Sequence, residues 1–573
     1  MKKRWKISPA NIELQEVLGR ELDILPLTAQ LLINRGLVEP DKASSFLRPE
    51  LKDLHDPFLM KDMGKAVDRI LKALDGREKI AVYGDYDVDG TTSTALLHLF
   101  FKEIGAGAEC YIPGRQAEGY GLNSKALGRL KDSGVSLVIT VDCGVSNHEE
   151  LAYARSIGLD CIVSDHHELE MGAPEGALAV LNPKQNGCEF PFKSLAGVGV
   201  AFNLAIALRA RLRERGWFVK REEPNLRRYL DLVAVGTIAD LVPLIDENRI
   251  LVSHGLKELS GGARIGLKAL IDASSVKPGR LDADSVAFQL APRINAAGRL
   301  GSAMTALRLL ITDDAKEAAS LAGELNRENS LRQRIEEETL HEALALMKDG
   351  DGAGIVLAKE GWNPGVIGIV ASRLADRFGK PTVMIALEGE TGKGSARGVK
   401  SFNMLEGLKS CSRLLQKYGG HKAAAGLTIA RENIDSFRDE FQAHISERLN
   451  EDDLTPEIVL DAVVRLDELD SRLISEIERL SPFGASNREP LLAVADAEIL
   501  ATEVVGSRHL RLKVSRKGLS ALSAIGFGLA PLHPMKGAGF GIAFSPYMDE
   551  WQGTRNLKLR VKDVRAECVK FLT

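Results

Sequence analysis

Three short apolar runs, each ending in acids or histidines, constrain this chain more than any other feature. They are KIAVYGDYD (79–87), SLVITVDCG (136–144) and CIVSDHH (161–167). Short β-branched runs that end in polar clusters, with helical patterns between them, indicate βαβ units and hence a parallel sheet. The first half of the chain therefore reads as α/β.

The rest divides by texture. Residues 1–55 read as short helices without recognisable chemistry, and 56–312 as the parallel-sheet domain. The stretch 313–348, which contains ELNRENSLRQRIEEETLHEALALM, has the composition of one long exposed connecting helix. Asp349-Gly-Asp-Gly-Ala-Gly354 breaks that pattern and opens a second α/β domain, 349–452. In the last segment, 453–573, HLRLKV (509–514) and NLKLRVK (556–562) alternate strictly, with apolar side chains on one face and basic ones on the other. Such half-buried strands suit a small β-barrel. A length of 573 residues agrees with several domains, at about 150 residues each.

The compartment can be read by exclusion. Six cysteines form no C-x-x-C pair, which favours reducing surroundings. Met-Lys-Lys-Arg at the start is not followed by an apolar stretch, so no export signal is expected. No run of about 18 apolar residues occurs, which argues against a membrane span. The expectation is a cytoplasmic protein.

Chemistry concentrates at the ends of the runs. Asp85, Asp87 and Asp89 occupy alternate positions, and on an extended strand they would share a face at the carboxyl end of the sheet. Three carboxylates so placed repel one another unless a cation lies among them. On its own the motif also reads as an acidic turn, and the Glu that a calcium loop needs at its twelfth position is Leu96. Asp142 ends the second run, and Asp165, His166 and His167 end the third, so the clusters should converge. Asp240, within DLVAVGTIADLVPL, reads either as a helix cap or as an anion that needs a partner. Hard carboxylates with imidazoles suit Mn²⁺ or Mg²⁺ better than structural Zn²⁺. Two ions about 3.5–4 Å apart, bridged by a carboxylate and a water, would clamp a phosphoryl group for hydrolysis.

In order, GDYDVDG, VDCG, SDHHE and GTIADLVPL resemble the four motifs of the DHH superfamily of phosphoesterases, named for the triplet Asp165-His166-His167. GGHKAAAG (419–426) is similar to the glycine-rich signature of the accompanying DHHA1 domain. Within the superfamily the chain resembles the bacterial single-strand-specific exonucleases from about residue 55 onward. The resemblance implies a DHH domain, a DHHA1 domain and a C-terminal OB-fold. It further implies that Asp87, Asp89, Asp142, His166 and Asp240 hold two divalent ions, Mn²⁺ or Mg²⁺. Asp142 would bridge them, and His167 would contact or protonate at the scissile phosphate. Where some members carry a histidine, this chain has Tyr83, and Asp85 is expected to take over that coordination. Also implied are 5′-to-3′ release of mononucleotides in DNA repair and recombination, a monomeric chain, and a single-strand-binding protein and a helicase as partners. Two alternatives stay open: a DHH-type phosphodiesterase for short oligonucleotides or cyclic dinucleotides, and a noncatalytic single-strand-binding replication protein.

Candidate phosphate contacts are Arg115, in the loop IPGRQAEGY, and Arg293 and Arg299, in PRINAAGRLG. Arginine forks bind phosphate at two points, but each could equally hold a loop through an ion pair. Ser395, Arg397, Gly420 and His421 lie in the DHHA1-like part, where small residues leave backbone amides open to a passing strand. Overall charge speaks against nucleic acid, with 75 Lys and Arg against 79 Asp and Glu. The last 73 residues reverse that balance, with 12 Lys and Arg against 5 Asp and Glu. Arg511, Lys513, Lys558 and Arg560 on the strand faces, with Phe527, Phe540, Tyr547 and Trp551 nearby in sequence, suit single-stranded DNA by charge and stacking. A solvated basic face is the plainer reading.

Overall fold

The apolar runs become β1 (Lys79–Gly84), β3 (Val135–Val141) and β4 (Asp160–Ser164), joined by β2 (Ala108–Tyr111) and β5 (Ala179–Leu181). All pair in parallel, in the order β2-β1-β3-β4-β5. Ile80 to Gly84 and Cys161 to Ser164 are buried throughout. Helices over both faces explain why these runs are continuously apolar rather than alternating. The strand order reverses between β1 and β3, and the crevice beyond the carboxyl ends at such a reversal is where open α/β sheets bind ligands.

The computed structural model describes residues 3–114, 118, 119, 121–262, 264–274, 276, 281–347, 352–450, 453, 455–516, 519–551 and 554–566. The chain forms two compact units. One takes Trp5–Ala291, Leu310–Ala315 and the chain from Val459 onward; the other takes Pro292–Leu309 and Lys316–Ile458 with the first residues.

The second of these units contains the helix Ala315–Leu346 and a mixed sheet. Its strands are β6 (Ile355–Glu360), β7 (Thr382–Glu388), β8 (Thr391–Arg397), β9 (Leu415–Gly420) and β10 (Ala424–Ala430), in the order β9-β10-β8-β7-β6. Only β6 and β7 run parallel.

In the first unit the C-terminal strands are β11 (Leu492–Val505), β12 (His509–Arg516), β13 (Leu519–Gly526), β14 (Gly537–Trp551) and β15 (Thr554–Arg565). They pair in the order β11-β12-β13-β15-β14, and β14 pairs back onto β11, closing a five-stranded barrel. Leu510, Leu512 and Val514 fill its interior while Arg511 and Lys513 face outward, as the alternation requires. The N-terminal helices Ile12–Leu22, Pro26–Ile33 and Pro40–Leu47 have no core of their own. Leu18, Leu31, Leu32 and Phe46 belong to the same apolar cluster as Leu473, Ile477, Leu512 and Leu559. Polar links tighten this joint: the Leu25 amide donates to Glu476 at 2.8 Å, and Arg35 donates to Asn487 at 2.8 Å and to the Arg488 carbonyl at 2.6 Å.

The helix Asp246–Ser260 presents two buried ionisable side chains, of which Arg249 reaches that joint. Arg249 donates to the carbonyls of Phe46, Leu480, Arg479 and Ser481 at 2.8–3.0 Å, and its guanidinium lies 3.8 Å from the centre of the Phe46 ring. Glu247 accepts the His55 amide at 2.6 Å, and burial pushes its carboxyl up to about 7. A carboxyl raised above its unfolded value favours folding while it is protonated in the folded chain, so this contribution fades as pH rises from about 4.5 to 7. Glu247→Gln should accordingly raise stability at pH 7 and above by about 1–3 kcal/mol. The check is the difference in melting temperature between variant and wild type across pH, which should vanish near pH 4; a difference independent of pH would refute the assignment.

Among the described residues Cys110, Cys143, Cys161, Cys188 and Cys411 are free thiols. No described helix is long and apolar enough to cross a membrane.

Candidate metal centre

The three aspartates of GDYDVDG do not share an extended strand, which corrects the alternating-face expectation. β1 ends at Gly84, and Asp87 caps the helix Val88–Glu103, its side chain accepting from the Gly90 amide at 3.1 Å. Aspartate is among the best N-caps, so the chain turns there, and Asp89 enters the first helical turn. The turn still gathers the carboxylates. Ligand atoms of Asp85, Asp87 and Asp142 lie within 4.8 Å of one another, as do those of Asp89, His166 and Asp240, and those of Asp142, His166 and His167.

Each group is fixed from outside the cluster. Asp142 follows β3 with φ +60°, a left-handed conformation uncommon for a residue other than glycine. Asp89 accepts the Gly197 amide at 2.6 Å and the Val198 amide at 2.8 Å, where the helix Gly197–Glu214 begins. Any side chain at Gly197 would press to 2.9 Å from Asp142 and 3.0 Å from Asp89, so only glycine lets this helix start approach. Asp240 directly follows the helix Leu230–Ala239. Asp165 accepts from His167 Nδ1 at 2.7 Å and from the backbone amides of Val145, His166 and His167.

The electrostatics divide these groups sharply. Burial, then the charges of neighbouring aspartates, raise Asp89 and Asp142 well above the carboxylate range and push Asp240 up to about 7. Burial and then His167 pull His166 down to about 4. Burial alone would lower His167, but its hydrogen bond to Asp165 together with the charges of Asp165, Asp240 and Asp89 lifts it to about 9. Burial likewise opposes ionisation of Asp165, yet the same bond, the charges of the two histidines and the Val145 amide together hold it at about 2. His167 and Asp165 thus form an imidazolium–carboxylate pair beside a cluster that cannot carry all its charges unaided.

The donor set fits divalent cations. His166 Nε2 lies 3.2 Å from Asp142 Oδ1, 3.5 Å from Asp240 Oδ2 and 3.9 Å from Asp89 Oδ2. His166 faces the Leu195 carbonyl, while its Nε2, Asp142 Oδ1 and Asp240 Oδ2 are buried without a hydrogen bond among the described residues. Lone pairs facing one another at such distances, out of water, are costly unless a proton or a metal ion lies between them.

Other expected residues fall elsewhere. Tyr83 lies in the core, its hydroxyl donating to the Gly121 carbonyl at 3.1 Å and accepting from Asn123 at 3.3 Å. Arg115 and the side chain of Trp551 lie outside the described residues. Arg293, Arg299, Ser395, Arg397, Gly420 and His421 belong to the unit with the mixed sheet. There Arg293 donates to Asn326 at 3.0 Å and Arg299 to the Gly365 carbonyl at 2.8 Å. Arg397 donates to Ser395 and Ser372, both at 3.1 Å. Gly420 ends β9, and His421 follows it, exposed.

On the barrel, register places Arg511, Ile525 and Arg560 in one row across β12, β13 and β15, with Lys513, Ser523 and Lys558 in the next. The four basic side chains therefore share one face, and three of them are paired with carboxylates. Arg511 pairs with Glu503 at 2.9 Å, Lys558 with Asp549 at 2.6 Å and Arg560 with Glu489 at 3.0 Å. Phe527 is exposed beside His509, and Arg560 lies over Tyr547.

Sequence reading did not find the Gly197 and Val198 amides that orient Asp89, or the Leu195 carbonyl beside His166. Small residues opening a helical run, Ala196-Gly-Val-Gly199, were the available signal.

A parallel sheet with these clusters at adjoining strand ends defines a DHH-type phosphoesterase, a metal-dependent hydrolase. Residues 79–237 match the family model described as DHH family, N-terminal domain; 351–447 match the DHHA1 domain and 460–563 the RecJ OB domain. The single-stranded-DNA-specific exonuclease RecJ of Bacillus subtilis strain 168 is 39% identical, over 98% of this chain and 71% of its own length. Its Escherichia coli K12 counterpart is 35% identical over 96% and 98%. The crystal structure of RecJ in complex with Mn²⁺ from Thermus thermophilus superposes with TM-score 0.83 at 32% identity, covering 98% of this chain and 79% of that one. The chain belongs to the RecJ family of single-stranded-DNA-specific exonucleases.

Proposed function

We propose that this protein degrades single-stranded DNA from the 5′ end to mononucleotides, with Asp85, Asp87 and Asp142 holding one divalent ion and Asp89, His166 and Asp240 the other. The carrying observation is the convergence of ligand atoms at the strand ends, with Asp142 Oδ1, His166 Nε2 and Asp240 Oδ2 buried and without a hydrogen bond among the described residues. Mn²⁺ or Mg²⁺ suits this donor set, and a Mn²⁺ complex of a Thermus relative agrees. The chemistry supplied by two bound cations is Lewis acidity, which acidifies an attacking water and offsets charge on the phosphate.

The chain's own residues do the rest. Asp142, a member of the first group, also lies 3.2 Å from His166 Nε2 of the second, so it is the carboxylate that would serve both. His167, kept cationic by Asp165, donates a proton or a hydrogen bond toward the scissile phosphate. Arg115, Arg293, Arg299, Ser395, Arg397, Gly420 and His421 take backbone phosphates, and the barrel row of Arg511, Lys513, Lys558 and Arg560 takes the strand further from the chemistry. These roles follow the division into a catalytic domain at 56–312, a connector at 313–348, a DHHA1 domain at 349–452 and a barrel domain at 453–573. Family membership supports the polarity, a monomeric chain in the cytoplasm, a place in repair and recombination, and substrate delivery by a helicase and a single-strand-binding protein.

The test is a Mn²⁺-dependent time course on a long 5′-phosphorylated single strand, labelled at either end. The 5′ label should appear at once as mononucleotide while the 3′-labelled strand shortens gradually. Earlier loss of the 3′ label would reverse the polarity, and hydrolysis confined to dinucleotides would replace this reading with a short-oligonucleotide phosphodiesterase.

A further inference from the structure

We propose that Asn248 is a positioning residue for one of the two metal sites, the one formed by Asp89, His166 and Asp240; this rests on the ligand assignment above. Those three ligands depend on two loops. The first, Ser194 to Val198, borders two of them: the Leu195 carbonyl faces the His166 ring, and the Gly197 and Val198 amides hold the two oxygens of Asp89. The second, Asp240 to Ile245, carries the third ligand at its start. It runs through Leu241, at φ +59°, an unfavourable conformation for leucine that persists only when neighbouring contacts impose it.

Asn248, fully buried in the first turn of the helix Asp246–Ser260, joins these loops with a single amide nitrogen. Its Nδ2 donates to the Ser194 carbonyl at 2.6 Å and to the Pro243 carbonyl at 3.0 Å. Ser194 lies three residues before Gly197, and Pro243 three residues after Asp240. The two acceptors thus sit one short span from all three ligands, and the amide fixes how far apart the loops stand. The helix that presents Asn248 is itself pinned on either side of it, by Glu247 at the His55 amide and by Arg249 at four carbonyls. The Leu244 amide, bonded to the Ala485 carbonyl at 2.8 Å, gives the second loop a further fixed point. The other ligand group, Asp85, Asp87 and Asp142, follows β1 and β3 and makes no bond to Asn248. Removing the amide should therefore weaken one ion and spare the other.

The experiment is calorimetric titration of the full chain with Mn²⁺ alone, without DNA, on wild type, Asn248→Leu, Leu251→Ala, Asp89→Asn and Asp240→Asn. Leucine nearly matches asparagine in shape but has no donor, and Leu251 is a buried residue of the same helix without a polar link to either loop. Wild type should bind two ions. Asn248→Leu should bind one as wild type does and the other about 10- to 100-fold more weakly, the usual effect of losing a group that orients a ligand. Leu251→Ala should lower the melting temperature yet bind both ions normally. Two ions bound at wild-type affinity by Asn248→Leu, or equal weakening in Leu251→Ala, overturns the proposal. If Asp89→Asn and Asp240→Asn also keep both ions, the ligand assignment falls with it; if they lose one while Asn248→Leu does not, only the role of Asn248 falls. Should Asn248→Leu not fold, Asn248→Ser, whose hydroxyl has one proton for two acceptors, is judged by the same criteria.

Discussion

Replacing Asp142 by Asn should cut Mn²⁺-dependent hydrolysis by about 10³-fold or more, while the metal-free protein melts at a higher temperature than wild type. The two effects share one cause. Asp142 is buried among Asp85, Asp87, Asp89 and Asp240, and it is the carboxylate of the first ligand group that also reaches the second, 3.2 Å from His166. Without a cation that charge is unfavourable, so removing it relieves the folded state; with cations it is the group holding them together. Asparagine is the informative substitution because it tolerates the left-handed backbone at φ +60°, so lost activity cannot be blamed on backbone strain. Adding Mn²⁺ should raise the melting temperature of wild type and leave the variant nearly unmoved, since only a ligand bound to the folded state stabilises it. Undiminished activity in Asp142→Asn would dispose of its bridging role.

The second large effect is expected on the barrel. Changing Arg511, Lys513, Lys558 and Arg560 together to Gln should weaken binding of a single strand at least about tenfold and flatten its salt dependence. Each neutralised phosphate contributes a slope of about 0.7 in log affinity against log salt, so four contacts account for at most about 3 units. The observed pairing limits that figure, because Arg511, Lys558 and Arg560 must exchange Glu503, Asp549 and Glu489 for phosphate. Neutralising those three carboxylates should accordingly tighten binding. Binding measured across a salt series decides both arms; a slope unchanged by the fourfold substitution would exclude this face as the DNA track.

What the sequence disclosed and what it hid have separate physical origins. The parallel strands were legible because burial on both faces leaves a continuous apolar run, and the clusters because their acids and histidines directly follow those runs. The turn at Asp87 was not, since alternating aspartates look the same whether the backbone stays extended or Asp87 caps a helix. Only the geometry of Gly84 to Gly90 distinguishes the two. Nor could local pattern disclose that the partners of Asp89 come from Gly197 and Val198, 108 and 109 residues away. On the barrel, alternation correctly placed the basic residues outward, but composition could not show that three of them face carboxylates across or beyond the sheet. The helices of residues 1–55 looked functionally empty because their apolar faces are completed by residues beyond 460.

That last joint bears on how the chain is made. The amide of Leu25 and the carboxylate of Glu476 that receives it are 451 residues apart in sequence. At about 5–20 residues per second, the ribosome needs roughly 20–90 s to make the second after the first. Throughout that interval Leu18, Leu31, Leu32 and Phe46 have no barrel to pack against, while the parallel sheet between them can already form. These helices are thus made well before the residues that complete their core, and that core closes only after the barrel strands have emerged.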